Sequence, residues 1–202
     1  MTDRNGWLDL IEENPGHSQW YVDRFRKLAE DGADLHGEAR LVDAMVGRGA
    51  RILDAGCGSG RVGGYLASVG HDVTGVDLDP LLIAAARADH PGVRWLVGDL
   101  AELDLPGDGF DVIVCAGNVM TFLAPDTRRP VLTRFAAGLR GHGRAVVGFG
   151  TDRGYPPKEF LADAEAAGLA PDLLLSTWDL RPYRDDSGFL VAVLAHAGGS
   201  RD

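Results

Sequence analysis

Two regimes of apolar spacing divide the chain. Between Ser18 and Val46 apolar residues recur at helical intervals. Tyr21, Phe25, Leu28 and Ala29 stand at i, i+4, i+7 and i+8, with Asp23, Arg24 and Lys27 mostly elsewhere. Ser18 is placed to cap that helix and "DGAD" breaks it. Asp34 is placed to cap a second helix carrying Leu35, Val42, Met45 and Val46, which "GRG" stops.

After Ala50 the texture changes to short runs rich in Val, Ile and aromatics, each bounded by Gly, Asp or Pro: "RILDA", "DVTGVD", "VRWLV", "FDVIVCA" and "RAVVGFG". Helical stretches lie between most of them, at Arg61 to Val69, Pro80 to Asp89, Asp126 to Leu139 and Pro157 to Ala167. Strand and helix in turn predict an α/β fold whose parallel sheet is covered by helices on both faces. The ending breaks the rhythm. "DLLLSTWDL" and "GFLVAVLAHA" are joined only by "RPYRDDS", a link too short for a parallel pair. The pattern therefore predicts six parallel strands and a last one inserted in reverse, with a frayed tail, "GGSRD".

Composition narrows the function classes. At 202 residues, with 45% hydrophobic and 25% charged residues, the chain has the make-up of a folded globular protein. Its net charge of −10 argues against a broad nucleic-acid surface, which needs clustered cations. Two cysteines make no disulfide framework. No stretch has the length of a membrane span, and "MTDRNGWLDLIEENPG" lacks the apolar segment of a signal peptide. The expectation is a soluble cytoplasmic protein, monomer or homodimer, without nucleic-acid or membrane partners.

The chemistry gathers at the strand ends. In "RILDAGCGSGRVGG" two glycine registers fit. Gly58, Gly60 and Gly63 match a dinucleotide-binding G-x-G-x-x-G with Asp77 further on. Gly56, Gly58 and Gly60 match G-x-G-x-G directly after the strand, preceded by Asp54. A carboxylate at Asp54 would repel a pyrophosphate and attract a ligand bearing an ammonium and a sulfonium. The first register also leaves "AGC" between strand and glycine, so the second is preferred. Asp77, closing "VTGVD", suits a ribose diol, with Leu78 beside a purine face. Asp99 in "VGDL" suits an exocyclic amine, with Leu100 against the ring. Each Asp alone reads equally as a cap or turn former; three at successive strand ends mark one sheet edge as a ligand site.

"LDAGCGSG", "VTGVDLDP", "WLVGDLAELDLP", "FDVIVCAGNVMTFL" and "LRGHGRAVVGFG" resemble, in order and spacing, the motifs of class I S-adenosylmethionine-dependent methyltransferases. The resemblance runs from about Arg51 to the C-terminus. It implies a Rossmann-like three-layer sandwich whose seven-stranded sheet has its last strand antiparallel. It also implies S-adenosylmethionine as cofactor. Asp54, Gly56, Gly58 and Gly60, with Cys57 among them, would surround its methionine part. Asp77 and Leu78 would take ribose and adenine, Asp99 and Leu100 the adenine, and Ala116 and Gly117 the wall below the sulfonium.

Methyl transfer is an in-line displacement from an activated donor, so positioning supplies much of the catalysis and a base is needed only for a nucleophile that keeps its proton. The loop "CAGNVMTFL" faces the methyl group in this family. It lacks the Asp/Asn-Pro-Pro-aromatic motif of members that act on adenine or glutamine nitrogens, which favours a small-molecule acceptor. Asn118 there is either a substrate contact or a loop tie, while Met120 and Thr121 read as packing. Residues 1–50 would form a helical cover over a methyltransferase domain at 51–198. In that cover His17, Trp20, Tyr21 and Arg26 are candidate substrate or cofactor contacts, against the plainer reading of a packed helix. Tyr155 and Arg153 in "GTDRGYPP" are further candidates for substrate contact. His71, His90 and His142 stand in turn-like, solvated contexts. Cys57 and Cys115 make no zinc site, and no catalytic metal is expected. The alternatives are an NAD(P)-dependent oxidoreductase and a non-catalytic binder of the same cofactor.

Overall fold

The computed structural model describes residues 4–102, 104 and 108–198. The first three residues, part of "AELDLP" and the tail beyond Gly198, which was expected to fray, lie outside the described residues. Seven strands form one sheet: β1 (Arg51–Ala55), β2 (Asp72–Asp77), β3 (Arg94–Val97), β4 (Phe110–Cys115), β5 (Leu139–Gly150), β6 (Leu169–Leu175) and β7 (Phe189–His196). Their order is β3-β2-β1-β4-β5-β7-β6, and β7 runs antiparallel to both its neighbours. The short link before β7 imposes that reversal, since no helix is available to carry the chain back for a parallel pairing.

Around the sheet stand α1 (Gly6–Glu13), α2 (His17–Glu30), α3 (Gly37–Ala44), α4 (Arg61–Ser68), α5 (Pro80–Asp89), α6 (Val119–Phe122), α7 (Arg128–Gly138) and α8 (Pro157–Ala166). Strand alternation sorts the core into two layers. Ile52, Val112, Val114 and Val146 pack on Ala39 and Val42 of α3 and on Val62 and Leu66 of α4. Leu53, Ile113, Ala145 and Val147 face the other way, onto Val131, Leu132 and Phe135 of α7 and Phe160 of α8. Each large apolar side chain so buried contributes roughly 1.5–3 kcal/mol, which fixes the strand register. At the β2–β3 edge Trp95 fills the space between sheet and α5, packing with Cys57, Ile83 and Ala86.

Several local expectations need correction. Ser18 lies inside α2, whose cap position is Gly16; its hydroxyl is turned to Asp79 instead. Asp34 accepts the His36 N–H at 3.1 Å, but the cap position of α3 is His36 itself. The sixth strand begins at Leu169 and stops at Leu175. "STWDL" is a loop, closed by the Ser176 N–H on the Arg181 carbonyl, because Trp178 folds back over Gly148 of β5. His71 is buried, with Nε2 at 2.8 Å from Asp43 Oδ1, since the turn that carries it is covered by α3. The helix α1 was not anticipated. Asn5 caps it by accepting the Trp7 N–H at 2.9 Å.

Candidate active site

The glycine loop after β1 is sewn to the end of β2. The N–H groups of Gly56 and Cys57 both donate to the Val76 carbonyl, at 2.8 and 3.0 Å. The N–H of Gly58 donates to Asp77 Oδ2 at 2.8 Å, and Asp77 Oδ1 accepts the N–H of Asp79 at 2.9 Å. Asp77 is thus aimed by two backbone donors, while each of its oxygens keeps a lone pair for a ligand. Burial pushes its carboxyl up to about 6 against the opposing pull of those N–H groups.

Asp54 has a different station from the one expected. It lies beneath the loop and accepts the N–H of Gly63 at 2.7 Å, satisfying an otherwise free donor in the first turn of α4. It does not line the cavity, and burial raises its carboxyl to about 7. It shapes the loop from below, buried rather than facing the cavity as expected. Cys57 is likewise turned away, its side chain in the packing around Trp95. Gly60 does not line the cavity either. With φ of 84° it lets the chain turn into α4 where a Cβ would come within 2.9 Å of the Trp95 ring.

Other expected residues are brought together. A cavity of about 450 Å³ runs along the C-terminal strand ends and is lined by Gly56, Gly58, Asp77, Leu78, Asp99, Leu100, Ala116, Gly117 and Asn118. Asp99 Oδ1 accepts the Ala101 N–H at 2.8 Å, leaving the other oxygen available. Asn118 adopts a left-handed conformation with φ of 69°, and its Oδ1 accepts the Gly150 N–H at 2.8 Å. Its amide oxygen ties the loop after β4 to the end of β5, the loop-tying reading of this residue.

The N-terminal helices form the roof. His17, Trp20 and Tyr21 of α2 line the cavity together with Arg24 and Phe25, and α1 adds Trp7 and Leu10. Trp7 packs edge-on against His17, Tyr21 and Phe122 with centroids 5.0, 5.6 and 5.8 Å away. A Cβ on Gly58 would stand 3.3 Å from the Tyr21 hydroxyl, so the roof lies directly on the glycine loop. Burial pushes the Tyr21 phenol up to about 12. Arg26 is a correction: it points out of the cavity and pairs with Asp89 at 2.9 Å, because it lies on the α2 face toward α5. Tyr155 is another. It is wholly buried, stacked on Phe149 with its hydroxyl donating to Asp163 at 2.9 Å, so its neighbours in the core claim it. Arg153, two residues before it, does line the cavity.

The residues that sequence reading missed include Trp7, Leu10, Arg24, Phe25, Arg61, Leu82 and Phe122 in the wall and Asp79 behind it. Three of them, Trp7, Leu10 and Asp79, had a usable signal. "NGW" followed by Leu10 and Ile11 is a cap plus helical spacing, and "LDP" places Asp79 before a proline that opens a helix. Among the described residues no group of three His, Cys, Asp or Glu side chains is arranged to hold a metal ion, and no helix is long and apolar enough to cross a membrane.

Residues 52–143 match the family model of a methyltransferase domain. A crystal structure of a TehB-like S-adenosylmethionine-dependent methyltransferase from Corynebacterium glutamicum is 53% identical, with a TM-score of 0.88, over 91% of this chain and 100% of that one. A ubiquinone biosynthesis O-methyltransferase of Azorhizobium caulinodans is 42% identical over 180 residues, 71% of either chain. A malonyl-[acyl-carrier protein] O-methyltransferase of Pectobacterium atrosepticum is 34% identical over 119 residues, and this chain spans 45% of its length. The reversed β7, the acids ending β2 and β3, the glycine loop and these matches agree: the chain belongs to the class I S-adenosylmethionine-dependent methyltransferases.

Proposed function

We propose that the protein transfers a methyl group from S-adenosylmethionine to a small-molecule acceptor held beneath the N-terminal helices. The observation that carries this is the cavity itself. It joins Asp77, whose two oxygens each keep a lone pair, and Asp99, with one oxygen left for a ligand, to an aromatic roof, within a volume of about 450 Å³. That volume is in the usual range for small-molecule sites.

The residues present fit the cofactor. Asp77 has the lone pairs that a ribose diol needs, and Leu78, Leu82 and Leu100 supply apolar surface for a purine beside Asp99. Gly117 has φ of 74°, and a Cβ there would meet no atom within 4 Å, so backbone is bared to the cavity next to Ala116. S-adenosylmethionine, when bound, supplies a methyl group already activated on a sulfonium. The chain's part is to bind, orient and exclude water. Trp7, His17, Tyr21 and Phe122 close the roof with ring-to-ring contacts. Tyr21 stays protonated at neutral pH and acts there as a hydrogen-bond donor. His17 is the imidazole in the roof, available to an acceptor that must lose a proton. In this reading residues 1–50 act as a cover and 51–198 as the catalytic domain.

The test is product formation. The protein is incubated with methyl-labelled S-adenosylmethionine and fractionated metabolite extract, and label is followed into small molecules, protein and nucleic acid. Label in a small-molecule fraction is expected; label confined to macromolecules would contradict the reading.

A further inference from the structure

We propose that the acceptor bears a carboxylate and that Arg153 is the residue that selects it; this rests on the methyltransferase reading above. Strand order gives the cavity a direction. Asp99, Asp77 and the glycine loop stand at the ends of β3, β2 and β1, the part assigned to the cofactor. The acceptor is left the other end, over β4 and β5, where Gly117, Asn118 and Arg153 line the wall. Arg153 is the cation of that end.

Its guanidinium is uncommitted. Of the other arginines lining the cavity, Arg61 pairs with Glu38, and Arg24 stands over the Trp20 and Phe25 rings in the roof. Arg153, among the described residues, makes no hydrogen bond or ion pair; its side chain lies along Gly150, beside but not paired with the Asp152 carboxylate. The loop that carries it is nonetheless pinned on both sides. Before it, the Gly150 N–H is held by Asn118 Oδ1 at 2.8 Å, and Thr151 donates its N–H to the Gly188 carbonyl at 3.1 Å and its hydroxyl to the Ser187 carbonyl at 2.9 Å. After it, the Gly154 carbonyl accepts from the buried Arg128 at 3.0 Å. Arg153 itself is exposed, so it is this pinned backbone that fixes where its side chain starts. A fixed backbone presenting a free, planar, permanently charged fork is suited to a carboxylate, which it grips with two parallel hydrogen bonds. In a protein of net charge −10 this cation opposes the bulk field that would otherwise repel an anionic acceptor.

The test uses the full chain saturated with S-adenosylhomocysteine, titrated calorimetrically with hydroxy- and amino-substituted aromatic and aliphatic carboxylic acids, each against its own methyl ester. At least one acid should bind about tenfold more tightly than its ester, the scale of one charge-assisted contact. Arg153→Ala should erase that preference and Arg153→Lys should restore part of it, with affinity for S-adenosylhomocysteine and melting temperature unchanged in both. Equal binding of acids and esters, binding of none, or a preference that survives in Arg153→Ala overturns the proposal. Failure of S-adenosylhomocysteine itself to bind overturns the methyltransferase reading first, and the proposal with it.

Discussion

The indole N–H of Trp7 donates to Asp79 Oδ2 at 2.9 Å, joining the first helix of the chain to the cap of α5. The Ser18 hydroxyl donates to the same oxygen, while Asp79 Oδ1 accepts the Leu81 N–H at 2.8 Å and caps α5. The backbone N–H of Asp79 in turn aims Asp77. One buried carboxylate therefore couples the roof to Asp77. Trp7→Phe keeps the packing and removes the donor, so it should cost about 1–3 kcal/mol of stability, the range for a buried charge-assisted bond. Amide exchange should quicken in α1 and α2 before the sheet. Unchanged melting temperature and unchanged exchange would show that this bond holds nothing.

Removal of residues 1–30 separates a cover from a structural layer. The two large core layers and the Trp95 cluster draw on residues from Ala39 onward. Among the described residues, the apolar cluster lost is the small one of Trp7, Val22 and Leu82. The truncated chain should stay folded by circular dichroism and bind S-adenosylhomocysteine more weakly, with turnover falling much further than binding as water enters the site. A folded truncation with full turnover contradicts the cover; an unfolded one makes these helices part of the core.

Without ligand, stability should fall as pH rises from about 5 to about 8. Asp54 and Asp77 are raised by burial from 3.8 to about 7 and about 6, so in this window the folded chain holds protons that the unfolded chain has released. Carboxylates held low by partners, such as Asp43 and Asp111, act in the opposite sense, but only below about pH 4. Asp54→Asn preserves an oxygen for the Gly63 N–H and removes the charge. It should melt higher than the parent at pH 8 and show a flatter profile. A slope identical to the parent's would contradict the buried, charge-penalised state of Asp54.

Gly60→Ala probes the reassignment of that glycine from ligand to packing. The substitution forces a Cβ into a left-handed backbone and against the Trp95 ring and the Ala86 Cβ, 2.9 and 3.0 Å away. It should cost about 2–3 kcal/mol through strain and overpacking, measured by urea unfolding. Affinity per folded molecule should change little. A stable variant with lost cofactor affinity would return Gly60 to the binding site.

Much of this was written in local pattern. The switch from helical to alternating spacing at Ala50, and the short link before β7, dictated the sheet because each is a backbone constraint that few folds satisfy. Asp77 and Asp99 were legible since each ends a strand on one sheet edge. Side-chain aim was not. Asp54 and Asp77 look alike in sequence, yet one faces Gly63 beneath the loop and the other faces the cavity. Arg24 and Arg26 differ by two positions on one helix, which turns one into the roof and the other toward Asp89. Trp7 depended on a partner far along the chain, a contact no local pattern encodes.

Calorimetric titration of the intact protein with S-adenosylmethionine and, separately, with NAD tests the central claim most directly. S-adenosylmethionine should bind in the micromolar range at one site and NAD not measurably, and Asp77→Ala should weaken S-adenosylmethionine by about 1–3 kcal/mol through lost diol hydrogen bonds. Tighter binding of NAD than of S-adenosylmethionine, or an Asp77→Ala variant with the parent's affinity, would contradict the account.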